Sequence, residues 1–436
     1  MGESTITTDP TTAPTDAEID AGLVAIFVTP EGKADPYPAY ARLREAKAVH
    51  HLGSLGDGAP FATARYELCQ QVLRDNRFGR QEGLGERWEY FGLTEDEWHE
   101  RFPDLGAFGE SMLGLNPPDH TRLRGLVAKA FTPSTVKNLE PHIRDLTDGF
   151  LDPLEGEVDI MQALALRLPI TVISEMLGVP ATAQAELLPH IKVAIQGLAT
   201  FEPDLDRFSA IYDANQAVAG YFTELVAARR DQPADDLLTQ LIHVEEAGET
   251  LSLPELIATV ILLYIAGYET TTNLIGNGLR AFLLHPEQLD LLRSDRDLLK
   301  PAVDEILRWD SPVQATARAA LEDGLEVSGV AIPKNTELLT LLAGANRDPR
   351  VYDEPDRFDI ARFRSGAGSP APLSFSAGIH YCLGAALARA EGSIVFDRLL
   401  DRYRIIEPAW PEAEPPVYRD NFILRGLETL PVRLVP

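Results

Sequence analysis

The stretch Phe375-Ser376-Ala377-Gly378-Ile379-His380-Tyr381-Cys382-Leu383-Gly384 decides how the rest of the chain is read. It holds one of only two cysteines in 436 residues, with glycines at 378 and 384. A helix-like run, Ala385-Ala386-Leu387-Ala388-Arg389-Ala390-Glu391, follows at once. The thiol therefore sits in a tight loop at a helix N-terminus, where free amides and the helix dipole favour the thiolate. A thiolate so held can be a nucleophile, a redox centre or an axial metal ligand. One cysteine cannot build a structural zinc or iron–sulfur site alone, and the chain has no C-x-x-C. A nucleophile needs a histidine base, and His380 is near enough in sequence to keep that reading open.

Haem ligation makes a different demand: one thiolate for the iron, and cationic or hydrogen-bonding partners for two propionates. Upstream, Asn116-Pro117-Pro118-Asp119-His120-Thr121-Arg122-Leu123-Arg124 reads as a helix start. His120 and Arg124 are four apart and project from one face, a suitable carboxylate clamp. Further on, Ser252-Leu253-Pro254-Glu255 has the capping-box pattern. The spacing predicts a long helix from there to about Leu284, roughly 45–50 Å end to end. Inside it, the polar run Ala266-Gly267-Tyr268-Glu269-Thr270-Thr271 interrupts two apolar stretches. Gly267 lowers helix stability by about 1 kcal/mol and lets a group approach the backbone. Thr270 can hydrogen-bond back to a carbonyl and open the turn. Together they can form a groove for a small ligand. Glu305 and Arg308, at i and i+3, can pair on one helix face.

The pattern Phe-x-x-Gly-x-His-x-Cys-x-Gly resembles the haem-binding signature of the cytochromes P450. Ser376 stands where that family usually has glycine directly after the phenylalanine. The resemblance recurs in family order over roughly residues 35 to 430. It implies a mainly α fold with smaller β-sheets, a single haem-thiolate domain over residues 21–436 behind a disordered tail, 1–20. It implies haem b, with Cys382 on the iron and Phe375 beneath the ring. His120, Arg124, Arg318 and His380 would bind the propionates. Glu269 and Thr270 would be the acid–threonine pair, Thr270 holding the oxygen or its water and Glu269 relaying protons. Glu305 and Arg308 would be a buried pair completed by Arg362, although Ile360-Ala361 replaces the usual Pro-Glu before that arginine. Ala266, Val313, Gln314, Ala315, Phe422 and Ile423 would face the substrate.

The activity so implied is monooxygenation: O₂ is activated with two externally supplied electrons to hydroxylate or epoxidise a mostly apolar small molecule. Electrons would come from a ferredoxin with its reductase, and NAD(P)H would act only indirectly through the reductase. Arg122, Lys129 and Arg389 offer a local positive patch for such a donor. Competing readings are a hydrogen-peroxide-driven peroxygenase and a non-catalytic haem binding or sensor protein. A thiol hydrolase built on Cys382 and His380 leaves His120, Arg124 and Arg318 unexplained.

Composition sets the outer bounds. The net charge of −28 argues against a general nucleic-acid partner and against anionic membranes. The first 20 residues lack the apolar core of a signal peptide or membrane anchor. The run Ile257 to Gly267 is too short to span a bilayer, so the expected location is cytoplasmic. Cys69 reads as a buried small hydrophobe. A helix is expected from Tyr37, a strand pair over Val49–Leu52 and Ala59–Thr63, and mostly helix over 134–245 with a break near Phe201-Glu202-Pro203. A hairpin is expected over Val327–Leu342, turning at Ile332-Pro333-Lys334-Asn335. The aromatic-rich segment with Trp88, Tyr90, Phe91, Trp98, Phe102, Phe108 and Met112 is expected over the pocket.

Overall fold

The computed structural model describes residues 14–56, 58–81, 88–103, 111–199, 204–246, 248–365, 367–411 and 414–436. Its axis is the helix Leu253–Leu284, 32 residues long. The Ser252 side chain accepts from the Glu255 amide, and the Glu255 carboxylate accepts from the Ser252 amide, so the capping box closes as its sequence predicts. Nearly every residue from Leu256 to Leu283 is buried. A helix apolar on all sides belongs inside a core. The helices Arg167–Met176, Leu205–Asp231, Leu299–Trp309 and Ala385–Arg402 pack around it. It is the one helix among the described residues that is long and apolar enough to cross a membrane, and most of its apolar window is buried in the protein.

The sheets are small and lie to the side. One has five strands in the order His50–His51, Phe61–Thr63, Glu337–Thr340, Thr316–Ala320, Phe78–Gly79. Leu338 lies opposite Arg318 in its antiparallel core pair, so an arginine occupies an interior strand. A second sheet joins Ile405–Pro408, Pro431–Val435 and Gly156–Asp159. The expected strand pair appears as His50–His51 against Phe61–Thr63. Cys69 is fully buried, its thiol reaching the Thr63 carbonyl at 3.5 Å, and burial pushes that thiol far up.

Three expectations need correction. Ordered chain begins before residue 21: a helix spans Asp16–Val28, capped by Thr15 and Glu18, with Ile19 buried. Residues 1–13 of the expected tail lie outside the described residues. The segment 134–245 is mostly helical among its described residues, as expected, with the strand Gly156–Asp159 and a π-helical turn at Met161–Ala165 set within it. The hairpin turns at Ser328-Gly329, both with positive φ, and pairs Leu325–Val327 with Val330–Ile332. The turn at Ile332–Asn335 instead hands the chain to Glu337–Thr340 in the five-stranded sheet. Lastly, the central helix stays α-helical through Gly267 and Thr270, so the turn there does not open. The expected break at Phe201-Glu202-Pro203 and the side chain of Phe108 lie outside the described residues.

Candidate active site

The cysteine loop is built by backbone constraints. The Cys382 amide donates to the Phe375 carbonyl at 2.9 Å, and the Tyr381 amide donates to the Gly378 carbonyl at 3.1 Å. Gly378 has φ +69°, and a Cβ there would collide with the Leu73 carbonyl, so only glycine lets the loop dock on the helix Tyr66–Arg74. Ser376 has φ 63° and ψ −165°. That region is nearly exclusive to glycine and costs a side-chain-bearing residue about 1–3 kcal/mol. The departure from glycine at 376 is therefore carried as strain. Cys382 keeps open surface although Phe375, Ala377 and Ala385 around it are buried. Loss of hydration pushes its thiol up, opposed by the amides of Gly384 and Ala385 and the charges of Arg124 and Arg389. Arg389 lies over the Phe375 ring at 4.5 Å and donates to Asp304 at 2.8 Å, tying the cysteine helix to Leu299–Trp309.

Beside this loop the structure gathers His120, His380, Arg124, Arg318 and Arg80, which come from four separate parts of the chain. The rings of His120 and His380 lie 4.2 Å apart, tilted by 52°. Both ring nitrogens of His120 and Nε2 of His380 are buried without a partner, as is Arg80 Nε. Arg124 donates to the Tyr381 carbonyl at 2.5 Å, and Arg318 reaches only Thr316 and the Ala317 carbonyl. Burial, then the neighbouring arginines, lowers His120 to about 4 and His380 to about 2. Burial likewise lowers Arg318 to about 9 and Arg80 to about 10. Buried polar groups are normally satisfied, and buried charges are normally paired. A cationic recess with idle donors fits a ligand bearing carboxylates, so the residues present fit the propionate edge of a haem. Arg80 was not singled out in the sequence. Its position directly after the edge strand Phe78–Gly79 carries no motif, and only the pairing of that strand with Thr316–Ala320 brings it to Arg318.

On the central helix, Ala266 is exposed and Leu262, Gly267 and Thr270 are half-buried, while the flanking residues 256–261 and 271–279 are all buried. That face borders open space. The Thr270 hydroxyl donates to the Ala266 carbonyl at 2.8 Å. Glu269 is buried and ion-paired with Arg419, whose other arm reaches Asn273. Burial raises the Glu269 carboxyl, and Arg419, Asn273 and Lys192 draw it back down. Arg419 and Asn273 were also not singled out, since a partner from the C-terminal loop leaves no spacing signal.

The support beneath is closed. Glu305 and Arg308 are fully buried, with contacts of 2.7 and 2.8 Å. Arg308 donates further to the carbonyls of Asn346, Pro355 and Arg357. Arg362 donates to Glu305 at 3.3 Å and to the Asp353 carbonyl at 2.7 Å, so the third arginine arrives despite Ile360-Ala361.

Of the expected pocket residues, Val313 and Ile423 are half-buried, while Ala315 and Phe422 are buried. The side chain of Gln314 is taken up within the fold. Its amide donates to the Ser311 carbonyl at 2.6 Å, and its oxygen accepts from the Tyr40 hydroxyl at 3.3 Å. The aromatic segment packs chiefly on itself and on the helix Leu205–Asp231: Phe208 lies 4.9–5.1 Å from Phe91, Trp98 and Phe102. In the expected donor patch, Arg122 pairs with Glu255 and Arg389 with Asp304.

Comparison with known proteins agrees with this arrangement. The family model described as Cytochrome P450 matches residues 94–425. Cytochrome P450 107B1 of Saccharopolyspora erythraea is 41% identical over 404 residues, covering 92% of this chain and 95% of that protein. The vitamin D(3) 25-hydroxylase of Pseudonocardia autotrophica is 40% identical over 408 residues, covering 92% and 94%. Among solved structures, the cytochrome P450 PksS of the Bacillus subtilis 168 bacillaene polyketide synthase superposes with TM-score 0.79 at 33% identity, covering 93% of this chain and 98% of that one.

Proposed function

The chain belongs to the cytochrome P450 family and is a P450 monooxygenase, and on that premise we propose that it activates O₂ with two externally supplied electrons to hydroxylate or epoxidise a mostly apolar small molecule. The observation that carries this reading is the idle cationic recess of His120, His380, Arg80 and Arg318 beside the cysteine loop. Haem b, when bound, supplies the oxygen-activating iron. In this reading Cys382 is its thiolate ligand, and Gly384 and Ala385 donate amides that stabilise the charged sulfur. Arg389 and Phe375 close that side of the loop. His120, Arg124, Arg318, His380 and Arg80 hold the two propionates by charge-assisted hydrogen bonds.

Glu269 and Thr270 move protons towards the open face of the central helix. Burial raises the Glu269 carboxyl, and Arg419 opposes that shift, so the group holds its proton more readily than an exposed glutamate does. Thr270, back-bonded to Ala266, keeps its oxygen at that face. Ala266, Val313 and Ile423 give the substrate region apolar surface. That character accords with a relative named for vitamin D(3) hydroxylation. Electrons come from a ferredoxin with its reductase, with NAD(P)H acting through the reductase. Since Arg122 and Arg389 are ion-paired within the protein, the exposed Tyr381 is the donor contact to vary.

The test compares substrate turnover driven by a ferredoxin, its reductase and NADPH under O₂ with turnover driven by hydrogen peroxide alone. The reading predicts donor-dependent product that vanishes without O₂. Faster turnover with peroxide than with the donor would make the protein a peroxygenase, and no turnover with either would favour a haem sensor.

A further inference from the structure

We propose that Arg419 is a positioning residue for proton delivery: its guanidinium clamps Glu269 and Asn273, one helical turn apart on the central helix, and fixes where the Glu269 carboxylate points. This rests on the reading of Glu269 as the proton relay. Arg419 comes from the C-terminal loop, nowhere near the central helix in sequence. One arm donates to Glu269 Oε1 and the other to Asn273 Oδ1. A guanidinium is a rigid planar fork, so two contacts from one side chain set direction as well as charge. The fork itself is held in place. The Arg419 amide donates to the Gly426 carbonyl at 2.8 Å, and Tyr418 bridges to Leu427.

Gly426 is an independent sign that the clamp is built in. A Cβ at that position would overlap Asn273 Oδ1 and lie 2.6 Å from Arg419 Nη2. The loop can approach the helix only because that residue has no side chain. The charged and titratable groups around Glu269 are few: Arg419 from the loop, Lys192 from the helix Ala181–Ala194, and Tyr268 beside it on its own helix. Burial raises the carboxyl and Arg419 is the first of the groups opposing it. A relay must exchange its proton readily in both directions. Without the clamp, burial would raise the Glu269 carboxyl further, and nothing would set its direction.

The experiment uses the full-length, haem-loaded protein with Arg419→Gln, Arg419→Lys, Gly426→Ala and Glu269→Gln. The ferrous–carbon monoxide Soret band checks that each variant is folded and correctly ligated. Infrared difference spectra of the carbonmonoxy form across pH follow the Glu269 carboxyl directly, without turnover. Product formed per electron consumed is then measured. Arg419→Gln should move the carboxyl titration upward and lower product per electron about tenfold, less than the roughly 10²-fold loss expected from Glu269→Gln. Arg419→Lys keeps the charge but not the fork, so it should restore the titration and leave the coupling low. Gly426→Ala should lower coupling with no charge removed. Wild-type titration and coupling in Arg419→Gln overturns the inference, and so does full rescue of coupling by lysine. Wild-type coupling in Glu269→Gln would instead overturn the relay itself.

Discussion

Two buried charged regions of the molecule, one around Glu305 and one around His120, are finished to different degrees. Around Glu305, every nitrogen of Arg308 has an acceptor, and the carboxylate takes bonds from Arg308, Arg362 and the Asp359 amide. Around His120, three arginines and two histidines converge, and ring nitrogens of both histidines are left without partners. Desolvating charge is costly in either place. In the first region the protein supplies the compensation itself, which marks a scaffold. In the second it does not, which marks a site whose partner arrives from outside. Burial and charge alone do not separate these roles, but the state of the hydrogen bonds does.

That contrast breaks most readily at Glu305. Glu305→Gln removes the negative charge and leaves Arg308 uncompensated, so the apoprotein should lose about 3–5 kcal/mol in denaturant unfolding. A loss under about 1 kcal/mol would show that the network is not the scaffold. The opposite behaviour is expected at Arg318. Arg318→Met relieves a desolvated, mutually repelling cluster, so apoprotein stability should hold or rise. Haem affinity should fall roughly 10- to 150-fold, the equivalent of about 1.5–3 kcal/mol for a lost charged hydrogen bond. Equal loss of stability and affinity would make Arg318 a scaffold residue like Arg308. The smallest effect is at Ser376. Ser376→Gly relieves a φ of 63° and should stabilise the protein by about 1 kcal/mol or more, read as a raised melting temperature. Destabilisation would mean that the serine is held there by a contact worth more than its strain.

The sequence made the fold legible where local chemistry is strong. The capping box at Ser252 and Glu255 placed the central helix to its first turn. The lone cysteine between glycines marked the loop, and the four-residue spacing of His120 and Arg124 put both on the helix Asp119–Ala130. Legibility failed where the deciding contact is distant in sequence. Arg80 meets the cluster only through strand pairing, and Arg419 meets Glu269 only because Gly426 lets a loop come close. The hairpin turn was misplaced because Pro333 and Asn335 are strong turn residues, while Ser328 is an unusual occupant of a positive-φ position. Gln314 shows a further limit. Its polarity suggested a substrate contact, but Tyr40 and Ser311 use its hydrogen bonds inside the fold.

The most direct test is the ferrous–carbon monoxide difference spectrum of the purified, haem-reconstituted protein, recorded beside Cys382→Ser. A strongly red-shifted Soret band in the wild type, lost in the variant, is the predicted result and establishes the thiolate ligand. A band unchanged by the substitution, or a folded wild-type protein that takes up no haem, would contradict the account.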